Sequence, residues 1–130
     1  VTDASAPGKL VIAGEYAVLE GAPALAASID VRAQARVASI STPESVFFDA
    51  LSGRAYFFNI DHERGLHWLE GSPGQSGKLL EAALSACLQH LKNYRQIPVI
   101  RVSMNSDAFY GRSGEQWQKL GIGSSAAVTV

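Results

Sequence analysis

The 130-residue chain predicts an α+β fold in which an antiparallel or mixed sheet packs against helices. Two patterns and one absence carry this. Val31, Ala33, Ala35 and Val37 alternate with Arg32, Gln34 and Arg36, the period-two signature of a half-buried antiparallel strand. Leu79, Leu80, Ala83, Leu84, Cys87, Leu88 and Leu91 recur at three- and four-residue spacing, as on a helix with one stripe against a sheet. No βαβ rhythm is sustained along the chain and no internal repeat is present.

The elements follow in order. Pro7-Gly8 predicts a turn, and Leu10-Val11-Ile12-Ala13 a short strand that Gly14 ends. Glu15 to Leu19 suits a short helix or another extended piece, interrupted by Gly21-Ala22-Pro23. Ala24 to Ile29 and Val31 to Ile40 make two strands or one long bent strand. Ser41-Thr42-Pro43-Glu44 is a turn signal. Val46-Phe47-Phe48, Ala55-Tyr56-Phe57-Phe58 and Leu66-His67-Trp68-Leu69 predict short strands, with turns near Ser52-Gly53 and His62-Glu63-Arg64-Gly65. Their aromatic side chains are expected to fill a sheet surface. Gly71-Ser72-Pro73-Gly74 marks the change to the helix, whose stripe should include Cys87; Lys92, Asn93 and Tyr94 end it before Ile97-Pro98. Val99 to Met104 is a further strand, Asn105 to Glu115 a polar glycine-containing connection, and Ile122-Gly123 leads into a terminal helix.

Composition narrows the class. One domain fits the length, 47% hydrophobic residues can fill a core, and 18% charged residues suit a soluble protein. A formal charge of −1 gives no reason to expect nucleic acid or an anionic membrane as partner. The single cysteine, Cys87, excludes an internal disulfide, and His62, His67 and His90 have no metal-site spacing. No transmembrane run is present, and Val1-Thr2-Asp3 does not resemble a secretory leader. The chain therefore reads as cytoplasmic, and as truncated at one end at least.

The chemistry concentrates at the two ends. In Leu120-Gly121-Ile122-Gly123-Ser124-Ser125-Ala126-Ala127, two glycines and two serines open a helix. Such a turn gathers unpaired N–H groups where the helix dipole favours an anion, and the hydroxyls add donors or reach a phosphate-bound metal. The segment superficially matches the G-x-G-x-x-A dinucleotide fingerprint, but it lies at the far end of the chain rather than after a first strand. No Lys-Ser or Lys-Thr follows the glycines, so it is not a Walker A loop. At the other end, Ala6-Pro7-Gly8-Lys9 places a lysine at the lip of a strand, and Gly14-Glu15-Tyr16 brings an acid and a phenol into the next turn.

Together these two segments resemble the GHMP kinase superfamily, which includes galactokinase, homoserine kinase, mevalonate kinase and phosphomevalonate kinase. Gly14-Glu15-Tyr16-Ala17-Val18-Leu19 is similar to the phosphomevalonate kinase form, where mevalonate kinases commonly carry His after Gly-Glu. Lys119-Leu120-Gly121-Ile122-Gly123-Ser124-Ser125 is similar to the same form of the nucleotide loop. The resemblance implies a ribosomal protein S5 domain 2-like N-terminal kinase domain, incomplete within residues 1–130, with the C-terminal kinase domain outside this chain.

It further implies ATP-dependent phosphoryl transfer to 5-phosphomevalonate, with mevalonate or another small molecule as the alternative acceptor. Gly121, Gly123, Ser124, Ser125 and Ala126 would hold the ATP phosphates, and Ser125 would help hold Mg²⁺. Lys9 would stabilise the transferred phosphoryl group or the acceptor, Lys119 would contact phosphate, and Glu15 and Tyr16 would shape the acceptor side. Two lysines suit a cleft that receives both ATP and a phosphorylated acceptor. The partners expected are therefore small molecules, without nucleic acid or membrane, and the full-length protein leaves room for a homodimer. Asp3, Asp30, Asp49, Asp61 and Asp107 offer no convincing acid/base pair, and the family's catalytic Asp, metal-binding acid and further glycine-rich motif are not assignable. The isolated chain is accordingly expected to be inactive. A noncatalytic ribosomal-protein-like or anion-binding domain is the alternative of a different class. The kinase reading also requires Lys9 and the serine-bearing turn to meet in three dimensions.

Overall fold

A computed structural model describes residues 1–61, 65–90, 97–114 and 116–129, apart from the side chains of Trp117, Ser125, Ala126 and Thr129. Six strands form one mixed sheet: β1 (Thr2–Ala13), β2 (Leu25–Ser39), β3 (Ser45–Asp49), β4 (Arg54–Asp61), β5 (Gly65–Trp68) and β6 (Ile100–Asn105). Helix α1 (Gln75–His90) joins β5 to β6. A hairpin of β7 (Tyr110–Ser113) and β8 (Gln116–Lys119) then leads to helix α2 (Ser124–Thr129). The strand order is β1-β2-β6-β3-β4-β5, antiparallel throughout except for the parallel β3–β6 pair. The expected α+β class with a mixed sheet is the class observed. None of the described helices is long and apolar enough to cross a membrane.

Pro7-Gly8 does not turn the chain. Both residues lie inside β1, where the register against β2 shifts from Pro7–Arg32 to Gly8–Ile29. A proline without an N–H is tolerated there because β1 is an edge strand, and the irregularity absorbs the distortion. The same shift reconciles the two readings of residues 24–40, which form one long strand that is irregular opposite Pro7. On this edge Arg36 Nε donates to Asp3 Oδ1 at 2.6 Å, and the guanidinium holds the Asp3 carboxyl below the ordinary carboxylate range.

Two apolar clusters lie on one side of the sheet. The larger joins Phe47, Phe58, Val102 and Leu80, with Tyr56, Trp68 and Leu84 packed around them. The Trp68 ring meets Phe58 edge-on at 5.5 Å between centroids, and its Nε1 donates to Glu81 Oε1 at 2.5 Å, tying β5 to α1. Buried Ser45 accepts the Ile100 N–H at its Oγ, so the cluster does not strand that hydroxyl. The smaller cluster, Ala6, Ala33, Phe109 and Ala127, seats α2 against β1 and β2. Alanines suit this place because they let helix and sheet approach closely.

Three expectations about packing change. The buried stripe of α1 centres on Gly77, Leu80 and Leu84, whereas Cys87 and Ala83 are exposed on its flank. Leu80 carries that stripe into the cluster with Phe47, Phe58 and Val102. Phe48 and Phe57 do not join the aromatic core, since period two turns them to the opposite, open face. The polar connection of residues 105–115 instead contains a 3₁₀ turn (Asp107–Phe109), which buries Phe109, followed by β7 and β8. The turn expected at His62, Glu63 and Arg64, and the helix end at Leu91 to Tyr94, lie outside the described residues.

These placements set three measurable outcomes. Phe58→Ala should cost about 3–5 kcal/mol in urea unfolding, the range for a fully buried phenylalanine. Cys87→Ser should stay within about 0.5 kcal/mol of wild type. Because the folded-state pKa of Asp3 is lowered, its stabilising contribution holds above the unfolded-state value and fades as pH falls through the folded one. An NMR titration should therefore find the Asp3 midpoint raised by Arg36→Gln.

Candidate functional site: a glycine turn clamped to the first strand

The described site begins where the two ends of the chain touch. Leu120 N–H donates to the Phe109 carbonyl at 2.9 Å, so the chain leaves β8 anchored beside the smaller core. Gly121 and Gly123 then adopt φ of 71° and 81°, values that disfavour any side chain. Between them the Ile122 carbonyl accepts the Lys9 N–H at 2.9 Å. Ala127 N–H donates to the Gly123 carbonyl at 3.1 Å and closes the first turn of α2.

Two glycines make this approach sterically feasible. A Cβ on Gly8 would stand 2.6 Å from the Ile122 oxygen and 2.7 Å from the Phe109 ring. A Cβ on Gly123 would stand 2.7 Å from Lys9 Cγ and 3.1 Å from Lys9 N. Lys9 therefore lies directly against the turn, although 113 intervening residues separate it from Gly123. Its side chain is exposed.

A cavity of about 280 Å³ opens on the other side of the turn. Its wall includes Ser124 from α2, Lys119 from β8, Tyr110 from β7, Asp49 from β3, and Ser76 and Lys78 from the first turn of α1. Lys119 is set there by its pairing with Tyr110 across the hairpin. The first N–H groups of α2 have no partner within their own helix and lie beside the same turn. This concentration of N–H groups, hydroxyls and ammonium groups suits a multiply charged anion.

The structure thus sets Lys9 against Gly123 on one side of the turn, and Ser124 and Lys119 at a cavity on the other, which Lys9 does not line. The backbones of Ser125 and Ala126 belong to α2, but their side chains, and with them the metal expectation at Ser125, lie outside the described residues. Glu15 and Tyr16 are exposed beyond the end of β1, and their side chains make no hydrogen bond or ion pair to the turn. Lys78 was not legible as a site residue, although a lysine in the first helical turn, with no acid beside it, was a usable signal.

Comparison with known proteins bears on this arrangement. No protein-family model matches the chain. A mevalonate kinase from Thermococcus sibiricus (strain DSM 12597 / MM 739) is 28% identical over 127 residues, covering 98% of this chain and 35% of the relative. A crystal structure of mevalonate kinase superposes with a TM-score of 0.70 at 18% identity, over 99% of this chain and 37% of that one. The chain is thus similar in sequence to a mevalonate kinase, and its fold matches that of the N-terminal part of these kinases. Streptococcus pneumoniae phosphomevalonate kinase, in complex with phosphomevalonate and AMPPNP, superposes at TM-score 0.65 and 21% identity, over 99% of this chain and 34% of its own. The chain spans about a third of the length of these GHMP kinases.

The two glycines of the turn should respond differently to alanine. Gly121→Ala meets only the left-handed backbone cost, about 1–2 kcal/mol, because a Cβ there has open space. Gly123→Ala adds a clash with Lys9 Cγ and a tight approach to the Lys9 backbone, and should cost distinctly more in urea unfolding.

Proposed function

We propose that the protein containing this chain transfers the γ-phosphoryl group of ATP to 5-phosphomevalonate, giving diphosphomevalonate. The observation that carries the kinase reading is the clamp between Lys9 and the Gly121–Gly123 turn. It unites the two segments that resemble GHMP kinases at a point suited to a polyphosphate. In this reading Gly121, Gly123, Ser124, Ser125 and Ala126 surround the ATP phosphates. Lys9 offsets the charge that spreads over the transferring phosphoryl oxygens, and Lys119 adds a second cation. Glu15 and Tyr16 border the acceptor.

Among the described residues no group of three or more His, Cys, Asp or Glu side chains is arranged to hold a metal. Mg²⁺ is therefore proposed to arrive with ATP and neutralise phosphate charge, with Ser125 the oxygen ligand from this chain. The turn's work is positioning: it fixes N–H donors and Lys9 before the nucleotide binds, so little reorganisation remains for the transfer step. We further propose that residues 1–130 alone do not turn over, that the protein works in the cytoplasm, and that its partners are ATP and a small acceptor.

Two sequence features support phosphomevalonate as the acceptor: Tyr16 after Gly14-Glu15, and Lys119-Leu120 leading into the turn. The likeness to a named mevalonate kinase supports a second reading, with mevalonate as acceptor. Coupled-assay turnover of the full-length protein with ATP and Mg²⁺ separates them. The expected result is efficient use of 5-phosphomevalonate and little use of mevalonate; the reverse preference selects the second reading. Lys9→Ala retains the backbone N–H that clamps Ile122, so it should fold normally. Its kcat/KM should nonetheless fall by about 10²–10³-fold, as when one preorganised donor to transition-state charge is lost.

A further inference from the structure

We propose that Lys78 is a nucleotide-binding residue, its ammonium group meeting a phosphate of the bound nucleotide from the α1 side of the cavity. This rests on the ATP-binding reading above and adds a residue to it from a different element. Lys78 and Lys119 line the same cavity as Ser124, the residue that follows the glycine turn, so a phosphate held at Ser124 enters the volume that both lysines border.

The cavity has the features of an anion site before any ligand is considered. The first turn of α1, Gln75-Ser76-Gly77-Lys78, contains no acid. A cation at a helix N-terminus opposes the helix dipole, so Lys78 carries a local cost that an anion relieves. Asp49, in the same wall, accepts the Leu51 N–H at Oδ1 at 3.2 Å, and no ion pair joins it to Lys78. Ser124 supplies an independent observation. It is only 8% exposed, it lines this cavity, and none of the described residues hydrogen-bonds its hydroxyl. With no buried polar atom left unsatisfied among the described residues, this hydroxyl opens to the cavity and is available to a ligand there. A hydroxyl without a hydrogen bond and a lysine without an ion pair, among the described residues, thus border one space of about 280 Å³. An anion with several acceptor oxygens satisfies both.

Calorimetric titration of the full-length protein with ADP and with adenosine tests this. Lys78 is exposed, so Lys78→Gln should fold, and its urea midpoint should match wild type. The expected result is a loss of ADP affinity of about tenfold, within the range for a charge-assisted hydrogen bond, with adenosine affinity unchanged. Lys78→Arg should recover most of the loss. ADP affinity within about twofold of wild type in Lys78→Gln would overturn the assignment, as would equal losses for ADP and adenosine. Failure of the wild-type protein to bind ADP at all would instead overturn the ATP-binding reading itself, and this inference with it.

Discussion

The site depends on one close backbone contact. The Lys9 N–H meets the Ile122 carbonyl, and a glycine on each side, Gly8 and Gly123, leaves room for the approach. Without that contact the lysine at the beginning of the chain and the serine-bearing turn near its end have no reason to share a surface. With it, the Lys9 side chain emerges beside the turn by construction, whatever residue follows in the cavity beyond. The hydrogen bond uses only backbone atoms, so the clamp and the charge it positions are physically separable. That separation lets a side-chain change at Lys9 report on chemistry and a change at Gly123 report on geometry.

The rest of the fold holds this contact in place. The small cluster of Ala6, Ala33, Phe109 and Ala127 presses α2 onto β1 and β2, and Phe109 also contributes the carbonyl that anchors Leu120. Its alanines set a short helix-to-sheet distance, as larger side chains would lift α2 and pull Gly123 away from Lys9. The larger cluster around Phe47 and Phe58 fixes α1 at the other end of the sheet. It thereby orients Ser76 and Lys78 toward the cavity. One core governs the turn, and the other governs the wall facing it.

Local chemistry was legible in the sequence where it depended on short-range rules. The alternation from Val31 to Val37 gave a strand, the leucine spacing after Leu79 gave α1, and glycines ahead of Ser124 gave a helix start. Legibility failed where pairing decided the outcome. Pro7-Gly8 carries every mark of a turn, yet a bulge on an edge strand absorbs it, and nothing local distinguishes the two. The β7–β8 hairpin is only four residues on each side, too short and polar for periodicity to register. Cys87 sits at a helical spacing that fits the apolar stripe, but α1 buries only its first half, at Gly77 and Leu80, and leaves Cys87 exposed. The motif residues Lys9, Gly123 and Ser124 could be named individually; their meeting required the strand register that brings Gly8 beneath Ile122.

The charge distribution follows from the same geometry. A chain with net charge −1 offers no long-range attraction for a polyphosphate, so any affinity must be generated locally. Here Lys9 of β1 lies against Gly123, and Lys78 of α1 and Lys119 of β8 border one cavity with Ser124. The N-terminus of α1, where Lys78 sits, adds to the local preference for an anion. The alanine-lined core and the backbone clamp supply rigidity that prevents the turn from relaxing to spread those charges. An incoming polyphosphate therefore meets donors already held in place, and the local positive charge favours a highly charged ligand over a neutral one.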